Sequence, residues 1–75
     1  MLSTKIIPTI FKVTIHQSDD TIGYWAECDM PNGGCTTDGE TIQETQKNMF
    51  ESVGLYLEDY PDISNYCLFF EYQYA

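Results

Sequence analysis

Four carboxylates, two cysteines and the single histidine are the residues whose types and spacing could do chemistry. Glu27 and Asp29 sit near the end of an apolar segment, and Asp38 and Glu40 flank Gly39 at a second loop. Two neighbouring strand ends could gather them, and nucleases of the two-metal kind need several carboxylates converging on paired ions. Such a site must also attract phosphate, which takes cations able to displace its counterions. The chain has 12 acidic residues against 3 basic ones, a net charge of −9, and Lys5, Lys12 and Lys47 are its whole supply of cations besides histidine. Direct nucleic-acid binding is therefore not expected. The four carboxylates read as solvated or partner-facing charge, and no enzymatic activity is expected of them.

Cys28, Cys35 and His16 could in principle hold zinc, but their spacing follows no zinc pattern. Free cysteine is commonly a small core residue. A Cys–His nucleophile pair would need an orienting group and a pocket, and neither is evident. His16 closes a strand and reads as a surface residue. No metal or cofactor is expected. With Cys67 the cysteines number 3, whereas a secreted disulfide scaffold normally shows an even count. Ile6 and Ile7 are followed at once by Pro8, too brief an apolar stretch for a signal peptide. No apolar run approaches the ~20 residues that span a bilayer. A cytoplasmic location with reduced thiols is the expectation.

The elements that must position these groups can be read from periodicity. Residues 6–16 are rich in β-branched side chains, and Phe11, Val13 and Ile15 alternate with Lys12, Thr14 and His16, the pattern of a half-buried strand. Ser18, Asp19 and Asp20 suit a turn. A second strand follows Gly23, over Tyr24 to Cys28, with Tyr24, Ala26 and Cys28 on one face and Trp25 and Glu27 on the other. Asp29 to Gly34 reads as a loop around Pro31 and the turn dipeptide Asn32-Gly33. A short third strand fits Cys35 to Thr37.

Thr41 and Glu44 form a capping box that opens a helix running to about Glu58. Ile42, Thr45, Met49, Val53 and Leu57 fall on one stripe of it, flanked by Phe50 and Tyr56. Gly54 weakens the helix by roughly 1 kcal/mol against alanine, and would suit close packing on the sheet. Pro61 stops continuation. Tyr66 to Tyr74 is a last strand, with Tyr66, Leu68, Phe70, Tyr72 and Tyr74 on one face and Cys67, Phe69, Glu71 and Gln73 on the other. The whole is one α+β domain in the order β-β-β-α-β. A three-strand meander and a helical crossover give sheet order 3-2-1-4, with the helix packed on one face.

A chain this short buries only about 60% of its unfolded surface, so self-association is an expected source of stability. Phe69, Tyr72 and Tyr74 are candidates for a homodimer or higher oligomer contact, because an exposed hydrophobic edge invites pairing; alternatively their own helix covers them. Trp25 is an interface anchor if the Tyr24, Ala26 and Cys28 face is core, and a core residue if the sheet is turned the other way. The acidic charge either keeps an aromatic-rich domain soluble or draws a basic partner.

The ordered set Tyr24-Trp25-Ala26-Glu27, Asp29-Met30-Pro31, Gly34-Cys35, Gly39-Glu40-Thr41 and Leu55-Tyr56-Leu57-Glu58 resembles the HicB antitoxin family over about residues 8–74. The resemblance implies a partial ribonuclease H-like β-β-β-α-β fold. It also implies a partner: HicA, a small basic mRNA-cleaving toxin whose catalytic and RNA-binding face the antitoxin masks. Partner-binding candidates are then Trp25, Glu27, Asp29, Asp38 and Glu40. Three features depart from the family pattern. Helix positions where members tend to carry alanine or leucine hold Thr45, Gln46, Met49 and Ser52. Asn32-Gly33 lengthens the loop after Pro31, and the sequence shows no helix-turn-helix or ribbon-helix-helix segment of the kind many members carry, so DNA binding is not expected of it. The alternative expectation is a non-catalytic oligomeric interaction domain without a toxin partner.

Overall fold

The computed structural model describes residues 8–19 and 22–73. Tyr74 and the Ile6-Ile7 start of the expected first strand lie outside them. The strands are β1 (Thr9–Gln17), β2 (Tyr24–Met30), β3 (Gly33–Gly39) and β4 (Tyr66–Gln73). Helix α1 (Ile42–Tyr56) follows β3, and a 3-10 turn, Leu57–Asp59, tightens its end. The sheet order is β3-β2-β1-β4, with β1 antiparallel to β2, β2 antiparallel to β3, and β4 parallel to β1. This is the expected α+β arrangement of one four-stranded sheet and one helix.

One face of the sheet is the core. Phe11, Val13, Ile15, Ala26, Cys28, Met30 and Cys35 are buried beneath Met49, Val53 and Leu57. Thr45 is buried with them, and its hydroxyl donates to the Thr41 carbonyl at 2.8 Å, so among the described residues no buried side-chain nitrogen or oxygen lacks a partner. Close approach of α1 to β3 leaves no room beside Gly39: a Cβ there would lie 2.6 Å from the Thr45 hydroxyl and 2.7 Å from its amide nitrogen. Gly54 is different. Its Cβ would meet only the Tyr66 hydroxyl, at 3.8 Å, so the sheet does not require glycine there.

The helix N-terminus is capped as its sequence implies, with one change. The Thr41 hydroxyl accepts from the Glu44 amide at 3.0 Å, but the Glu44 carboxylate accepts from the Glu40 amide at 2.9 Å instead of the Thr41 amide. The backbone at Thr41 is extended (φ −124°, ψ 163°), and the long glutamate side chain reaches one residue further back.

Two strands are longer than their composition suggests. Asp29 and Met30 belong to β2, and Gly33 and Gly34 belong to β3, so Pro31 and Asn32 alone make the hairpin turn. Pro31 fixes a negative φ at the first corner, and Asn32 takes a left-handed φ of 62° at the second, which asparagine tolerates better than most residues. The turn is tied to the end of the helix. Tyr56 and Tyr60, stacked at 5.6 Å, both donate their hydroxyls to the Pro31 carbonyl, and the Asn32 side chain donates to the Tyr60 hydroxyl at 3.2 Å. A Cβ at Gly33 would press on the Tyr56 hydroxyl at 3.2 Å. The Pro31-Asn32 turn thus packs against two tyrosines.

The helix lies mainly over β3 and β2. The inner face of β4 is consequently only half covered. Phe70 meets Phe50 edge-on at 5.8 Å, and the Tyr72 hydroxyl accepts from the Gln46 side chain at 3.4 Å. Among the described residues no helix is long and apolar enough to cross a membrane.

Candidate functional site: the uncovered face of the sheet

Strand alternation sends every second side chain away from the helix. No described element covers that outer face, so the fold presents a sheet with one side open. Register arranges its side chains in transverse rows. Gln73, His16, Trp25 and Asp38 form one row across β4, β1, β2 and β3, and Glu71, Thr14, Glu27 and Thr36 form the next. Asp29 of β2, Lys12 of β1 and Ile10, Cys67 and Phe69 of the β1–β4 pair extend the face. Trp25 is therefore on the exposed side of its strand and Tyr24 on the helix side.

Of the five partner-binding candidates, Trp25, Glu27, Asp29 and Asp38 share this face. Glu40 does not: it follows the end of β3, where its amide serves the helix cap. The oligomer candidates divide as well. Phe69, 57% exposed, is on the open face, whereas Tyr72, 40% exposed, is on the helix side of the same strand. Tyr74 is outside the described residues.

His16 is the residue that sequence reasoning undervalued. Its ring stacks on Trp25 with centroids 4.1 Å apart and planes at 15°, and its Nε2 lies 2.7 Å from the Glu27 carboxylate. It is half-buried by these two neighbours and not a free surface group. The signal that could have found it is the hairpin register, which makes His16 and Trp25 direct cross-strand partners.

Charge on the face is unevenly compensated. Lys12 pairs with Glu71 at 3.1 Å, an exposed contact worth at most about 1 kcal/mol. Glu27 is held by His16. Among the described residues, Asp29 and Asp38 have no cation within ion-pair distance. The face is also creviced. One depression of about 580 Å³ is lined by Trp25, Thr36, Thr37 and Asp38, and another of about 320 Å³ by Ile10, Phe11, Lys12, Thr14, Glu27 and Asp29.

The carboxylates do not converge into a metal centre: among the described residues, no three His, Cys, Asp or Glu side chains are grouped to hold an ion. Cys28 and Cys35 face each other across β2 and β3 on the core side, away from His16. Burial pushes the Cys28 thiol up to about 11 and raises that of Cys35, which keeps both protonated and poorly nucleophilic. Fold and face together define a small α+β domain with an acidic, partly aromatic, open sheet surface. Comparison with models of known families, with curated proteins and with solved structures gives no match to this chain.

Proposed function

We propose that this chain is a HicB-like antitoxin domain, of partial ribonuclease H-like fold, that binds a small basic HicA-type mRNA-cleaving toxin and masks its RNA-binding and catalytic face. The observation that carries the reading is the assembly of Trp25, Glu27, Asp29 and Asp38 on one uncovered sheet face of a chain with net charge −9. Acidic groups on a rigid sheet compete with phosphate for a cationic surface, and long-range attraction speeds encounter. The strand order and the parallel β1–β4 pair support the family resemblance. On that face Glu27 is paired with His16 and Glu71 with Lys12, which leaves Asp29 and Asp38 as the carboxylates without an ion-pair partner among the described residues.

A second reading has its own observation. Strand β4 is an eight-residue sheet edge with Phe69 on one side and Tyr72 on the other, and with only Glu71 to discourage pairing. This supports a homodimer or higher oligomer joined along β4, which is compatible with toxin binding or, without a toxin, makes the chain an oligomeric interaction domain. The identity of the neighbouring gene, and co-expression with any small basic protein it encodes, decide between them. Copurification and relief of growth arrest are expected for the antitoxin; a toxic neighbour that this chain neither binds nor restrains would reject it. Light scattering at tens of micromolar tests the oligomer, with a monomer as the contrary result.

A further inference from the structure

We infer that the depression between Trp25 and Asp38 is a seat for an arginine side chain presented by a basic protein partner. This deepens the antitoxin reading and rests on it only for the source of the arginine. Strand β2 lies between β1 and β3. His16 of β1 covers one face of the Trp25 indole at 4.1 Å. On the side of Trp25 away from His16 lies β3, where Asp38 is its direct cross-strand partner. There a shallow, open depression is lined by Trp25, Thr36, Thr37 and Asp38. Trp25 remains 39% exposed although one ring face is stacked.

The chemistry of that opening selects its occupant. A guanidinium is planar, so it can stack on an indole while its edge N–H groups reach a carboxylate. The free indole face supplies the stack, Asp38 supplies the carboxylate, and Thr36 adds a hydroxyl on the same face. An ammonium is drawn to both groups as a point charge, but it has no plane to lay on the indole while donating to Asp38. Glu27 acts at one remove: it holds His16, and His16 holds the indole plane upright, so both are positioning residues. A second copy of this chain cannot fill the seat through arginine, because the sequence contains none. Phosphate is disfavoured by Asp38, Glu27 and Asp29 on the same surface.

Trp25 is the only tryptophan, so its emission reports on the seat directly. The test is titration of the purified chain with N-acetyl-arginine amide, N-acetyl-lysine amide and the neutral isostere N-acetyl-citrulline amide at constant ionic strength. Trp25 emission and the Trp25 indole N–H resonance are followed. Arginine is expected to bind in the millimolar range, lysine several-fold more weakly, and citrulline without a saturable response. Asp38→Asn, an exposed and near-isosteric change, is expected to weaken arginine binding about tenfold, a difference of about 1.4 kcal/mol. Equal responses to arginine and citrulline, or an unchanged affinity in Asp38→Asn, would overturn the seat. Saturable arginine binding by a chain that restrains no toxin would reject the antitoxin reading alone, whereas full toxin restraint by a chain indifferent to arginine would reject the seat alone.

Discussion

The imidazole of His16 lies flat against the indole of Trp25, 4.1 Å between centroids, and this contact organises the exposed side of the sheet. A stacked pair held by a third group, here Glu27 at 2.7 Å, makes a rigid platform from side chains that would otherwise sample several rotamers. Removing His16 should release the platform without disturbing the core on the opposite face. His16→Ala is expected to cost only about 1 kcal/mol of stability. It should also shift Trp25 emission to the red and broaden the indole N–H resonance. Denaturant unfolding followed by circular dichroism measures the first effect and fluorescence the second; an unchanged spectrum would mean that the stack does not persist in solution.

Gly54 is a place where helix stability can be gained. Its Cβ would have the Tyr66 hydroxyl as its nearest neighbour, at an ordinary 3.8 Å, so alanine brings no clash. Gly54→Ala is expected to stabilise the fold by about 0.5–1 kcal/mol through a smaller loss of backbone entropy. The matched control is Gly39→Ala, where Thr45 blocks the new methyl group at 2.6 Å and a loss of several kcal/mol is expected. A common sign for the two substitutions in thermal or urea unfolding would contradict the packing described.

The three cysteines should separate cleanly by reactivity. Cys67 is exposed on β4, while Cys28 and Cys35 are buried between sheet and helix. A disulfide-exchange reagent such as DTNB is expected to label one thiol in the native chain and all three in guanidinium. Mass spectrometry of the labelled peptides checks that the early site is Cys67. Rapid native labelling of Cys28 or Cys35 would show that the helix does not stay on the sheet.

The buried thiols also contribute to the alkaline dependence of stability. The Cys28 thiol has a native pKa raised from 9.0 to about 11, chiefly by burial, and that of Cys35 is raised as well. The native state therefore holds its protons more tightly than the unfolded chain does. This contribution is complete below pH 9 and is lost as pH rises through about 11. Cys28 alone corresponds to at most about 2–3 kcal/mol across that window. Tyr56, also raised by desolvation, acts in the same direction. Urea midpoints are expected to be flat from pH 7 to 8.5 and to fall from pH 9 to 11, less steeply in Cys28→Ala. The same slope in wild type and variant would remove Cys28 as the cause.

The sequence carried the topology well, because each local signal agreed with the others. Alternation in β1 and β4, the Thr41 cap and the apolar stripe through Thr45, Met49 and Val53 leave few ways to close one sheet with one helix. The hairpin was harder to read. Asp29, Gly33 and Gly34 look like loop residues, yet a two-residue turn at Pro31-Asn32 needs none of them, and cross-strand pairing draws them into β2 and β3. Four of the five partner candidates could be grouped from strand parity alone once β2 was extended through Asp29 and β3 through Asp38. Glu40 could not, since its position depends on where β3 ends. The contact of His16 with Trp25 was not legible, because the stacking follows from register, and register is fixed by a turn between strands that the sequence does not count out. Phe69 and Tyr72 were legible as lying on opposite faces of β4, and one flat contact cannot bury both.

The central claim is that the open sheet face is where a basic toxin-like protein docks. The most direct measurement is an amide and indole NMR map of this chain, isotope-labelled, with and without a catalytically inactive form of the proposed small basic HicA-type partner. The account predicts perturbations concentrated on Trp25, His16, Glu27, Asp29, Thr36 and Asp38, with residues 45–57 on the helix little changed. Absence of binding, or perturbations confined to the helix and the Pro31-Asn32 turn, would contradict it.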